Sequence, residues 1–142
     1  MADPTDISNR EALSDREVAE RFIELFHHRD DPETAFRCWV HPDYIQHNPG
    51  APTGRDATMA FLGNAVRANP ELTHDVKRVI YGDSENGETL VAVHHNFRRT
   101  KGELGWAVVD ILRIRDGYVV EHWDVMQQVP DPSDTKNDNG MF

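Results

Sequence analysis

The stretch VVDILRIRDGYVVEHWDV, Val108 to Val125, sets Asp110, His122 and Asp124 among residues suited to a core. An unpaired carboxylate is costly to bury, so Asp110 must pair with a neighbour or take up a proton through a raised pKa. A group so placed can act as acid or base near neutral pH. The chain has eight histidines, and alternation in TLVAVHHNF makes Val91, Val93, His95 and Phe97 the more apolar set, so His95 is expected inward and His94 outward. His27, His28 and His41 read as surface residues of a helix end and a loop, and His74 as a surface residue of a polar strand start. The chemistry such groups support is proton transfer at a carbon next to a carbonyl: a neutral imidazole takes the proton, and a protonated carboxyl or imidazolium opposite stabilises the enolate.

Whether these groups converge depends on strand register. A two-residue loop at Asp116-Gly117 pairs Arg115 with Tyr118 and sets Trp123 opposite Asp110. A three-residue loop, with Gly117 forming a bulge, pairs Ile114 with Tyr118 and sets His122 opposite Asp110. One residue of slip exchanges the two faces, so the alternatives predict different sites. Under the second, Asp110, His122 and Asp124 share a face with Trp106, Val108, Leu112, Val120 and Met126. The non-catalytic alternative is a satisfied Asp110–His122 pair across the strands.

The positioning elements are legible from periodicity. Ser14-Asp15-Arg16-Glu17 matches a capping box, and Val18, Phe22, Leu25 and Phe26 recur at helical spacing, so a helix is expected from Ser14 to Arg29. A short helix follows with Pro32 in its first turn, then the extended segment HPDYIQHNPG. A third helix is expected from Gly54 or Arg55 to Ala68. Four strands follow, Leu72 to Gly82, Glu88 to Thr100, Leu104 to Arg115 and Tyr118 to Val129, separated by Asn86-Gly87, Lys101-Gly102 and Asp116-Gly117. Helices first and antiparallel strands afterwards make an α+β layout, a curved sheet closed by helices around a cavity.

At 142 residues the chain is expected to form one domain, 14–129, between a flexible N-terminal segment, 1–13, and a disordered acidic tail, 130–142. The net charge of −10 repels phosphate backbones and anionic headgroups, which argues against nucleic-acid or membrane partners. The single cysteine, Cys38, and the lack of a leader or spanning pattern point to a cytoplasmic location. PGAPTGRDA lacks the spacing and lysine of a phosphate-binding loop and is read as a turn feeding a helix.

Three pieces, AERFIELFHHRD, YIQHNPGAPTGRDA and VDILRIRDGYVVEHWDVMQ, resemble the SnoaL-like polyketide cyclases of the nuclear-transport-factor-2-like (NTF2-like) superfamily across about Ser14 to Gln128. The resemblance implies a cone-shaped α+β barrel, commonly homodimeric through the outer sheet face. It also implies a pocket in which Asp110 is the acid or base of an aldol-type closure or isomerisation, without metal or organic cofactor. His47 matches the position of the ketosteroid isomerases' general base. The isomerases' helix tyrosine has no counterpart in ERFIELF, and the Asp-Arg-Asp set of epoxide-hydrolase relatives is not evident.

The expected catalytic groups are therefore Asp110, His47 and His122. His95, Asp124, Phe22, Phe26, Trp106 and Met126 are expected to face a small apolar or ring-like carbonyl substrate. The rival from another class is a non-catalytic ligand-binding or interaction domain, since fold does not transmit activity. A metal site built on His47, His95 and His122 lacks HxH or HExxH spacing, so none is expected.

Overall fold

Ser14 caps the first helix as its spacing requires, accepting the Glu17 N–H at 3.1 Å while the Glu17 carboxylate accepts the Ser14 N–H at 2.8 Å. In the computed structural model, which describes residues 2–142, helix α1 runs Asp15–Ile23. It does not continue to Arg29 as an α-helix. A π-helical turn, Glu24–His28, completes it, with the Arg29 N–H reaching back five residues to the Glu24 carbonyl at 3.0 Å. The wider turn brings His27, five residues after Phe22, onto the buried face. Asp31 then caps helix α2, Pro32–Trp39, by accepting the Thr34 N–H.

The extended segment becomes strand β1, Val40–Gln46, and helix α3 spans Arg55–Ala68. Strands β2 (Thr73–Asp83), β3 (Thr89–Arg98), β4 (Trp106–Arg115) and β5 (Tyr118–Gln128) follow. Their order across the sheet is β1-β5-β4-β3-β2, antiparallel throughout except for β1, which runs parallel to β5. The sheet is curved and not closed. Phe22, Ile23, Leu25, Phe36 and Trp39 from the helical side pack on Val91, Val93, Leu112, Ile114 and Val119 of the sheet, all at most 4 % exposed.

Neither register expected for the last hairpin is the one adopted throughout. Asp116 and Gly117 both have positive φ, 51° and 82°, the mirror-image turn that suits a two-residue loop, and Arg115 pairs with Tyr118. A bulge at Val120 then shifts the ladder, so that Leu112 opposes His122 and Asp110 opposes Asp124. The extra residue restores the parity of the three-residue alternative. Asp110, His122 and Asp124 end on one face, with Asp110 diagonal to His122.

The segment read as a flexible N-terminus touches the domain at several points. Arg10 donates to the Gly117 carbonyl at 2.9 Å and to the Cys38 carbonyl, its guanidinium lies 4.1 Å from the Tyr118 ring centroid, and Trp39 Nε1 donates to the Pro4 carbonyl at 2.7 Å. At the other end, the Phe142 ring lies 5.5 Å from that of His94 on the outer sheet face. Among the described residues, no helix is long and apolar enough to cross a membrane.

Candidate active site

Strands β3, β4 and β5 bring His95, Asp110 and His122 together on the concave face, and the π-helical turn delivers His27 from the opposite wall. Asp110, 7 % exposed, accepts three N–H bonds. His27 Nε2 and His95 Nε2 lie 2.9 Å from Oδ2, and His122 Nε2 lies 2.8 Å from Oδ1. Burial works to raise this carboxyl, but the hydrogen bonds from His122, His27 and His95 outweigh it and hold Asp110 well below the usual carboxylate range. Of the two alternatives open from the sequence, pairing with neighbours is the one adopted, and the raised value is not. Asp110 is a fixed anion that orients imidazoles.

The three rings are not equivalent. Burial pushes His27 down to about 4 against the pull of Asp110, so it is neutral, with its proton on Nε2. The Nδ1 atoms of His27 and His95 are buried and have no hydrogen-bond partner among the described residues. His122 differs because both of its nitrogens face acceptors. Its Nδ1 lies 2.6 Å from Gln46 Oε1, and the orientation of that amide is set by the Asn48 backbone N–H, which donates to the same oxygen at 3.0 Å. A ring that must donate from both nitrogens is an imidazolium. Burial opposes the charge, while Asp110 and then Asp124 favour it, so His122 sits above the ordinary imidazole value.

Gln46 Nε2 in turn donates to Tyr44 Oη at 3.1 Å. Burial, together with the charges of Asp110 and Asp124, keeps the Tyr44 phenol protonated, and its O–H donates to no described residue. Asn48 Nδ2 holds Asp124 Oδ2 at 2.8 Å. These groups line one end of a cavity of about 330 Å³, whose walls are mainly aromatic and aliphatic, among them Phe22, Phe26, Phe36, Phe97, Val108 and Leu112. That size and mixture suit a small, flat ligand held by a few polar contacts.

Of the residues expected at the site, Asp110, His122, Asp124, His95, Phe22, Phe26 and Met126 line this cavity. His47 does not. Gln46 pairs with His122 across the parallel strands and takes the inner face, so His47 is turned outward, bonded to Glu121 at 2.7 Å and stacked on Trp123 at 5.0 Å. Trp106 is also outside the lining. It opens β4 opposite Phe97, which occupies that end of the wall.

Two histidines assigned to the surface are inside. His27 is 1 % exposed, and the His74 side chain is 8 % exposed and lines the cavity. The π-helical turn that rotates His27 inward leaves no periodic signature. His74 is covered by Phe26 and Phe97, which come from distant parts of the chain. His95 inward and His94 outward agree with the alternation.

Two groups, His27–His95–Asp110 and Asp110–His122–Asp124, have donor atoms close enough to hold a metal ion. Spacing rules miss them because the first group comes from three separate elements. In the first group the donor chemistry argues for a hydrogen-bonded network: metal-bound imidazoles ordinarily donate their second N–H to a carbonyl or carboxylate, and the buried Nδ1 atoms of His27 and His95 have no such acceptor among the described residues. In the second, His122 Nδ1 does face an acceptor, Gln46 Oε1.

An open curved sheet with helices over a polar-floored cavity places the chain in the cystatin-like, NTF2-like α+β class. A family model for the SnoaL-like domain matches residues 19–122, and the chain belongs to that family. No curated protein matches it. Among solved structures, it is similar to a protein of unknown function with a cystatin-like fold from Xanthomonas campestris, at 21 % identity and TM-score 0.61, over 82 % of this chain and 93 % of that one. It is also similar to IdmH, a proposed polyketide cyclase from Streptomyces antibioticus, at 17 % identity and TM-score 0.58, over 80 % and 92 % of the two chains. A proposed isomerase of the SnoaL-like family from Agrobacterium tumefaciens matches at 9 % identity and TM-score 0.59, over 84 % and 98 %. At these identities the likeness is one of fold.

Proposed function

We propose that this protein is a SnoaL-like enzyme that moves protons at a carbon next to a carbonyl, in an isomerisation or an aldol-type cyclisation of a small, ring-like substrate, needing neither metal nor organic cofactor. The observation that carries the reading is His122, whose two nitrogens face Gln46 Oε1 at 2.6 Å and Asp110 Oδ1 at 2.8 Å. It supplies a largely buried cation beside a cavity with mainly apolar walls, where a developing enolate charge is stabilised far more than in bulk solvent. The substrate oxygen is received by the free Tyr44 O–H and shares the Nδ1–H that Gln46 holds. Asp110 keeps the imidazolium charged and aimed. A pure ligand carrier has no need of such an arrangement, and this favours the enzyme over the binding-domain reading.

The test uses 2-tetralone, a flat bicyclic ketone, and follows exchange of its α-protons in D2O by NMR. The protein is expected to accelerate exchange over buffer, and His122→Gln to slow it by about 100-fold. No acceleration by the parent protein, or an unimpaired His122→Gln variant, refutes the reading. For the assembly we propose a cytoplasmic homodimer through the outer sheet face, which presents Ile80 and Val125, 60 % and 69 % exposed. Light scattering is expected to give twice the chain mass, and a monomer mass would remove the proposal.

A further inference from the structure

Asp30 and His74 form a couple that the acid side of the site does not use. Asp30 lies in the connection between the π-helical turn and α2, with φ +50°, the left-handed region that non-glycine residues seldom adopt. In that conformation its Oδ1 accepts both the backbone N–H of His74 and the ring Nδ1–H, each at 2.9 Å. A carboxylate can only accept, so the proton of the neutral ring is on Nδ1, and Nε2 carries the lone pair. The ring lines the cavity, and its Nε2 has no hydrogen-bond partner among the described residues.

Its neighbours have the opposite tautomer or no free site. His27 and His95, with ring centroids 5.5 and 5.4 Å from that of His74, point Nε2–H at Asp110, and His122 donates from both nitrogens. Phe26 and Phe97 flank the His74 ring at 5.2 and 5.5 Å. His74 is therefore the imidazole of the cavity that offers Nε2 as an acceptor. Asp30 stands behind it, as a carboxylate stands behind a histidine base.

We propose that His74, held by Asp30, is the general base of this enzyme, facing Tyr44 and His122 as the electrophilic side. The assignment rests on the function proposed above. His74 Nε2 takes the proton from the carbon next to the carbonyl, the electrons of that C–H bond form the enolate, and its oxygen is held by Tyr44 and His122. In an isomerisation, the His74 imidazolium returns the proton to a different carbon. In a cyclisation, the enolate carbon bonds to a second carbonyl carbon, and the same proton passes to the new alkoxide. Each route leaves His74 neutral and consumes no co-reactant. The ionisable groups that face it are Asp30 behind it and His27 and His95 beside it.

The 2-tetralone exchange assay, run on His74→Ala and Asp30→Asn, tests the assignment. His74→Ala is expected to lose at least about 100-fold, with partial rescue by added imidazole, and Asp30→Asn about 10-fold. A merely structural histidine would not be rescued by imidazole. Nitrogen-15 NMR of the parent protein requires no variant and is expected to show His74 protonated on Nδ1. A His74→Ala rate within threefold of the parent, a slow variant that imidazole does not rescue, or an Nε2–H tautomer overturns the base assignment. In those cases a slow His122→Gln variant still leaves the broader function standing. If the parent protein fails to accelerate exchange, both fall together.

Discussion

Asp110→Leu is expected to destabilise the protein by about 4 kcal/mol or more, a large share of the roughly 5–15 kcal/mol that holds a domain of this size together. Leucine has the same branched shape but is larger, so overpacking adds to the loss. The larger part comes from His27, His95 and His122, whose Nε2–H groups all end on this carboxylate at 2.8–2.9 Å and are left without that acceptor in a buried site. Asp110→Asn should cost about half as much, since a carboxamide oxygen accepts two of the three bonds. Its NH2 then faces His122 Nε2, which must give up its proton, leaving a neutral ring with its proton on Nδ1 toward Gln46 Oε1. Urea unfolding of the two variants at neutral pH checks both size and order. A leucine variant as stable as the parent would show that the three histidines do not depend on this anion.

Acidification should remove about 3 kcal/mol of stability between roughly pH 6.5 and pH 4 through His27 alone. The unfolded chain takes up this proton near 6.5, whereas in the folded protein burial holds the ring neutral down to about 4. Across that interval the unfolded state binds more protons, so stability falls as pH falls. His122 acts in a different window. Its folded value is raised, so its contribution is complete below the unfolded value and is lost as pH rises through the folded one. Asp110 contributes above the ordinary carboxylate range and loses its share only as pH falls through its much lower folded value. His94 is shifted down by burial like His27, which is why a variant comparison is needed. His27→Gln keeps an N–H donor for Asp110 and cannot titrate. Its stability, followed by urea unfolding from pH 7 to pH 4.5, is expected to fall less steeply than the parent's by close to one proton, and equal slopes would exclude His27 as the source.

The histidines show where sequence reasoning stops. His95 was readable because a strand alternates faces with a fixed period of two, and its neighbours Val91 and Val93 mark the inner face. His27 was not, because a single wider turn at Glu24–His28 changes which side of a helix a residue occupies without changing the apolar spacing before it. The outward turn of His47 was hidden for a related reason. His47 follows a short, polar strand, and only the pairing of that strand with β5 decides that Gln46, and not His47, shares the face of His122.

From the residues alone came the helices-then-strands order, the turns, the inner face of β3 and the polar interruption at Asp110 within an apolar strand, because these depend on local periodicity and turn chemistry. Tertiary structure decided the rest: the bulge at Val120, the inward turn of His27 and His74, and that Asp110 pairs and stays a low carboxyl instead of taking up a proton. The physical reason is that a buried group's charge is set by what meets it there. Asp110 meets three imidazoles from a helical turn and two strands that are far apart in the chain.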